Sequence, residues 1–152
     1  MYEHIDAFDE RVEHVLAALR AAAPDIEAAV GHDLTVQKGM LRPAQIGTPL
    51  AISVRRTAIV GYEFNASGGP SDVETELEVE LYTRQVGDPE TLEATANRLS
   101  AVVHDLLQTL RNDHEYWWRL RLEGGNVTGR TTTRQDYVLE TIPVRVWFDV
   151  SQ

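Results

Sequence analysis

The chain contains no cysteine, so disulfide bonds and thiolate metal sites are excluded. It also lacks long apolar runs, and its longest fall well short of the ~20 residues that span a bilayer. The opening residues, MYEHIDAFDE, are acidic and do not have the basic-then-apolar pattern of a signal peptide. We therefore expect a soluble protein that is not exported and has no membrane partner.

Positive charge is scarce: Lys38 is the only lysine, and the net charge of the 152 residues is −10. General affinity for nucleic acid needs basic patches that contact phosphates, so DNA or RNA binding is not expected. An acidic surface poor in lysine suits a high-salt cytoplasm, where carboxylates keep a protein hydrated. Coding by GC-rich codons would also favour arginine over lysine, so a halophilic origin is one of two explanations.

The motifs of catalysis are missing as well. None of the five histidines belongs to an HExxH or similar metal-binding spacing. His104–Asp105 and His114–Glu115 are adjacent pairs, and neighbours on a helix point apart. No serine lies in a nucleophile elbow, and neither glycine pair has the setting of a phosphate loop. The sequence therefore predicts no enzyme, no catalytic, metal-binding or cofactor-binding residue, and no cofactor.

Hydrophobic periodicity predicts two helices and five strands. The first helix covers residues 1–23, where Pro24 either ends it or begins a second short piece over 25–30 that ends at Gly31. The second follows a turn at Gly87, has Asp88 as its N-cap and continues to residue 112. Its apolar stripe consists of Leu92, Ala96, Leu99, Val103, Leu106 and Leu110. Strands are expected at residues 34–38, 50–64, 73–82, 116–123 and 137–150, with a bulge near Arg55–Arg56 and a turn at residues 124–129. The predicted fold is one α+β domain over residues 1–152, a mainly antiparallel sheet with two helices packed on one face, in the order α-β-β-β-α-β-β.

The third strand carries a row of glutamates on one face, Glu74, Glu76, Glu78 and Glu80, opposite an apolar face of valine and leucine. One interpretation is the solvated face of an acidic protein. However, four neighbouring carboxylates repel one another, which costs stability at low salt. The alternative is the wall of an aqueous channel, which would let DNA pass without binding it. Paired-carboxylate catalysis is disfavoured because it needs carboxyl groups in unlike environments.

An aromatic and arginine patch is predicted near the end of the chain. In YWWRLRLE, alternation places Trp118 in the core and Trp117, Arg119 and Arg121 on the outer face. Tyr137 and Trp147 are expected on the same face of the last strand. Tryptophan and arginine are enriched at interface hot spots, so these five residues are the candidate contact with another subunit or partner.

The whole pattern resembles the tail terminator or tail completion proteins of long-tailed viruses and the related neck proteins that join head to tail. The resemblance is carried by three segments: MYEHIDAFDERVEHVLAALR, TLEATANRLSAVVHDLLQTLRN, and the polar TGRTTTRQDY that leads into VLETIPVRVWFDV. It implies a ring, usually six-fold, that caps the tail tube, ends its polymerisation and docks to the head–tail connector.

In that setting the partners are further copies of the chain, the tail tube protein and the connector protein. DNA would pass through the ring without specific binding, and the glutamate row could line the lumen. The resemblance further implies a virion protein of the tail or neck that assembles in the host cytoplasm. Residues 61–72 and 126–136 would then be docking loops.

Two other classes of function stay open. One is a small-molecule binder or enzyme with a pocket between helices and sheet, built around a polar cluster such as His104 and Asp105. The other is a non-viral adaptor that binds another chain through the hairpin at residues 117–121. A different neck or connector protein is a third alternative within the viral class.

Overall fold

The structure is a computed structural model that describes residues 3–64, 70–131 and 136–149. Its helices are α1 (Glu3–Val30) and α2 (Thr91–Thr109), and short 3-10 turns cover Pro43–Gln45 and Leu110–Asn112. Its strands are β1 (Leu34–Lys38), β2 (Leu50–Phe64), β3 (Pro70–Arg84), β4 (Arg119–Leu122), β5 (Asn126–Thr131) and β6 (Asp136–Asp149).

The strands form one sheet in the order β1-β2-β3-β6-β4, in which only β1 and β2 run parallel. β3 is the central strand and pairs antiparallel with β2 on one side and β6 on the other. β4 and β5 both lie along the remaining side of β6, opposite residues 144–147 and 136–141 respectively. The predicted fold class and the order of helices and strands are confirmed.

A β-bulge interrupts β2 between Arg56 and Ala58, where the alternation of the sequence predicted one. β5 is an addition to the prediction, which assigned residues 124–129 to a turn. Its sequence, NVTGRT, is polar and contains a glycine, so it has little strand signal of its own. Pairing with β6 supplies its conformation instead.

α1 runs through Pro24 without a break, whereas the sequence left open whether the helix ends there. Proline removes one backbone hydrogen bond from a helix. Burial of Ile26 and Val30 beyond it, both at most 3% exposed, offsets that loss. The helix ends at Gly31, whose φ of 90° is the left-handed conformation of a helix C-terminus, and its N–H donates to the Glu27 carbonyl at 2.7 Å.

The predicted cap, Asp88, lies in the turn just before α2, where its side chain accepts a hydrogen bond from the Glu90 N–H at 3.0 Å and its carbonyl accepts one from the Thr91 N–H at 3.1 Å. Leu99, Val103 and Leu110 of its predicted apolar stripe are buried. Leu107 is fully buried beside them, and Leu106 of the predicted stripe is half-buried against the same core.

Both helices cover one face of the sheet, where Val73, Leu77 and Val79 of β3 meet apolar residues of α1 and α2. Leu16 of α1 and Leu99 of α2 are at most 1% exposed within the same core. No helix in the described ranges is long and apolar enough to span a membrane. The outer face of the sheet carries no helix in these ranges, and its polar residues are therefore arranged by the strands alone.

Candidate functional site

The glutamate row lies on the outer face of β3, as its alternation predicts. Its members are not freely solvated. Glu80 is only 5% exposed, and Glu74, Glu76 and Glu78 are half-buried. The row therefore lies within a layer of side chains.

Arginines from the two flanking strands fill that layer. Arg55 of β2 donates to Glu78 at 2.8 Å, and its Nε lies 3.2 Å from a carboxylate oxygen of Glu80. Arg145 of β6 donates to Glu74 at 3.3 Å. The two arginines bring both signs of charge to the face, so the repulsion that four adjacent carboxylates would otherwise suffer is partly compensated.

The ion pair at Glu80 is the least favourable part of this layer. Burial raises the pKa of the Glu80 carboxyl, Arg55 opposes the rise, and neighbouring Glu78 adds to it. The Arg55 Nε and the Glu80 oxygen are close, yet they are not aligned for a hydrogen bond. By contrast, the aligned hydrogen bond to Glu78 raises the pKa of the Arg55 guanidinium. Glu78 is therefore the main partner of Arg55.

A second group, the aromatic–arginine cluster, consists of Trp118, Arg119, Arg121 and Trp147. The guanidinium groups of Arg119 and Arg121 lie 4.6 and 5.6 Å from the centre of the Trp147 ring, within the range of cation–π contact. The Trp118 ring lies 6.2 Å from that of Trp147 and is 51% exposed. Its indole N–H donates to Asp72 at 2.7 Å. The cluster is thus an exposed aromatic surface with fixed positive charge.

The prediction for the two adjacent tryptophans was wrong. Trp117 is 1% exposed in the core, and its indole N–H donates to the Leu110 carbonyl at 2.8 Å. β4 begins only at Arg119, so the alternation of Leu120, Arg119 and Arg121 cannot be extended backwards through the preceding turn. Trp118 therefore takes the exposed position that had been assigned to Trp117.

Tyr137 lies on the outer face as predicted, but away from this cluster. It packs against Tyr82 with ring centres 5.4 Å apart, in a small apolar group that also contains Leu41 and Ala51. Trp147 is ten residues further along β6, about 33 Å at the rise of an extended strand. Of the five residues predicted to form one patch, Arg119, Arg121 and Trp147 therefore lie together, Tyr137 lies at the other end of the outer face, and Trp117 lies in the core.

The polar group nearest to an enzyme-like arrangement lies at the helix–sheet interface. His104 Nε2 and Ser100 Oγ both lie 3.1 Å from one oxygen of Glu140. A nucleophile and its base must contact each other, whereas here both contact a shared carboxylate. Asp105, the other residue of the predicted cluster, is exposed. Among the described residues, no group of three or more His, Asp or Glu could hold a metal ion.

Comparison with known proteins identifies a shared fold. Thirty-one chains of solved structures match. One of them belongs to the virion of a native gene transfer agent particle. It superposes with a TM-score of 0.55 at 20% sequence identity, covering 89% of this chain and 91% of that chain. No family model and no curated protein matches the sequence. The likeness therefore establishes the fold over most of the chain.

The sequence alone did not reveal the arginine partners of the glutamate row. Arg55 and Arg145 are 90 residues apart, and only the register of β2 and β6 against β3 brings them to the row. Alternation within each strand indicates in the sequence that the arginine faces outward, but it does not indicate which strands pair.

Proposed function

We propose that this chain is a structural protein of a phage-like particle. In this role it forms a ring, six-fold by resemblance, at the head-proximal end of the tail tube, ends tube polymerisation and docks to the head–tail connector. The observation that carries the proposal is the fold shared over 89% of the chain with a chain of a gene transfer agent virion. The order of helices and strands that resembles tail terminators is the second support.

The aromatic–arginine cluster is the surface on which we expect docking. An exposed tryptophan beside two arginines has the composition of an interface hot spot. Trp118 replaces Trp117 in this role, while Arg119, Arg121 and Trp147 keep theirs. Tyr137, at the other end of β6, lies outside this surface.

That the glutamate row lines a channel stays a prediction, but the wall would now carry arginines as well as glutamates. A lumen lined by this face would present Arg55 and Arg145 together with Glu74 and Glu78, so both signs of charge would face the DNA. Such a wall would repel phosphates less than four unpaired carboxylates would. DNA passage without specific binding remains compatible with it.

The proposed role involves no catalysis and no cofactor. The space between α2 and β3 is occupied by packed apolar side chains such as Leu77, Leu99 and Val103. Ser100 and His104 are engaged with Glu140 at its margin. These contacts favour a structural protein over the small-molecule binder or enzyme. We place the protein in the tail or neck of a particle assembled in the host cytoplasm.

Deletion of the gene in the producing strain tests this role, with particles examined by mass spectrometry and negative-stain microscopy. A tail terminator should be present in purified particles, and its loss should give tails of uncontrolled length that do not join heads. Tails of normal length that fail to join would indicate another neck protein. Absence of the chain from particles, or normal tails without it, would refute a structural role in the virion.

A further inference from the structure

β4 is an edge strand of the sheet, and a groove runs along the side of β4 that faces away from β6. The groove has a volume of about 430 Å³ beside the start of the strand and continues as a further 230 Å³ along it. Its walls are β4 and the end of α2, with lining residues that include Gln108, Arg111, His114, Trp118, Arg119 and Leu120. It thus adjoins the aromatic–arginine cluster.

Among the residues that the structure describes, the charged side chains that line this groove are all basic, in a chain whose net charge is −10. Arg111 and Arg119 have no carboxylate within ion-pair distance among the residues that the structure describes; Arg111 contacts Gln108 and Arg119 stacks on Trp147. Arg121 donates to Glu123 at 2.6 Å. An anionic occupant would therefore find two arginines that form no ion pair with a carboxylate of the described residues.

The backbone of β4 favours an extended chain in that position. The Glu123 N–H donates to the Pro143 carbonyl of β6, and antiparallel pairing alternates every second residue. By this alternation the N–H and C=O groups of Leu120 and Leu122 point away from β6, toward the groove. The side chains of Arg119 and Arg121 project to the outer face, and Leu120 is buried on the inner face.

We propose that the groove beside β4 binds an extended acidic segment of a partner protein, which adds to the sheet as a further strand. Its backbone would pair with Leu120 and Leu122, its carboxylates would meet the arginines, and alternate apolar residues would face Leu120. Duplex DNA is the less suitable anion for two reasons. The chain as a whole is acidic, with a net charge of −10, and DNA cannot use the backbone hydrogen-bonding groups that β4 offers along the groove.

This inference rests on the proposed role only in that the partner would be another protein of the particle. The binding itself is measured on the isolated full-length chain. It can therefore fail while the chain remains a virion protein, and it can succeed if the chain proves not to terminate tails.

The probe is a labelled synthetic peptide, VETELEVEL, which copies the alternation of this chain's own residues 73–81 and is followed by fluorescence anisotropy. We expect saturable binding that weakens as NaCl is raised from about 0.05 to about 0.5 M. The R119E R121E variant should bind about tenfold more weakly or worse, whereas R119K R121K should bind within about threefold of wild type because it keeps the charge.

Two controls separate the groove from general electrostatics. The variant R20E R98E makes the same change in net charge at exposed helix positions outside the groove and should bind like wild type. A peptide with proline at alternate positions keeps its carboxylates but cannot pair as a strand, so it should bind about tenfold more weakly. Circular dichroism establishes that each variant is folded. R111E is a second test of the groove, because the described hydrogen bond of Arg111 is to Gln108 alone.

Four results would overturn the proposal. These are no saturable binding up to about 1 mM peptide, equal binding of a peptide with lysine in place of glutamate, equal binding of the proline peptide, or displacement of the peptide by a short DNA duplex. Self-association of the chain that R119E R121E abolishes, without peptide binding, would assign the groove to a contact between copies instead.

Discussion

Replacing Trp117 with alanine tests the placement of this residue in the core. The side chain is 1% exposed and its indole N–H satisfies the Leu110 carbonyl at 2.8 Å, where α2 ends. Truncating a buried tryptophan to alanine costs about 3–5 kcal/mol of unfolding free energy. Part of that cost is the carbonyl left without its donor, about 1 kcal/mol or more. For a chain of this size we expect the melting temperature to fall by about 8–16 °C.

The adjacent Trp118 is the matched control. Because its ring is 51% exposed, W118A should change the unfolding free energy by about 0.5–1 kcal/mol at most, despite the loss of its hydrogen bond to Asp72. W117F keeps most of the apolar surface but no donor, so its cost should lie between the two, near 2 kcal/mol.

Urea titration followed by circular dichroism is the suitable assay, since fluorescence would itself change with each tryptophan removed. The slope of the free energy with denaturant must stay constant for the comparison to hold. Equal losses for W117A and W118A, or a loss below about 1 kcal/mol for W117A, would refute the placement of Trp117 in the core.

Three further predictions concern the outer face and the turn before β5. Burial raises the pKa of Glu80 above its ordinary 4.5, so the folded chain binds this proton more tightly than the unfolded chain. The unfolding free energy of wild type relative to E80Q should therefore rise as pH falls through the raised pKa, and it should level off below about 4.5. Urea titrations at several pH values measure this difference, and the opposite slope would contradict the prediction. The variant R55Q R145Q leaves the glutamate row without its two arginine partners. Added salt should therefore stabilise it more than it stabilises R20Q R98Q, a control with the same net charge. Equal salt responses in thermal melts would count against compensation by these arginines. A β-carbon at Gly125 would collide with the Thr141 carbonyl oxygen, whereas Gly124 has open space, so G125A should lose about 1–3 kcal/mol and G124A close to none, as measured by thermal unfolding.

Local sequence patterns were sufficient wherever a residue's environment follows from its own strand or helix. The period of two in β3 placed Val73, Leu77 and Val79 in the core and the glutamates outside. Asp88 and Gly31 marked the ends of helices because their conformations and hydrogen bonds involve only nearby residues. The same patterns predicted the α+β class and the order of helices and strands.

Errors arose where a pattern was extended across a change of structure. Trp117 and Trp118 were assigned by carrying the alternation of β4 back into a turn, where the period of two does not apply. Residues 124–129 were assigned to a turn, although residues 126–131 form β5, because the strand conformation of β5 depends on its partner β6 and not on its own propensity. Of the docking loop proposed for 126–136, residues 126–131 form β5, residue 136 begins β6, and residues 132–135 fall outside the described part. Of the loop proposed for 61–72, residues 61–64 and 70–72 lie in strands, and residues 65–69 fall outside the described part.

By itself, the sequence determined that this is an acidic, cysteine-free α+β chain with two helices against one side of a sheet, because composition and periodicity are local properties. Only the tertiary structure decided which charges meet. Arg55 and Arg145 reach Glu78 and Glu74 through the register of three strands that are distant in sequence, and Trp147 reaches Trp118 and Arg119 in the same way. Strand register depends on the packing of the whole sheet, so the row of glutamates becomes a layer of ion pairs only after folding.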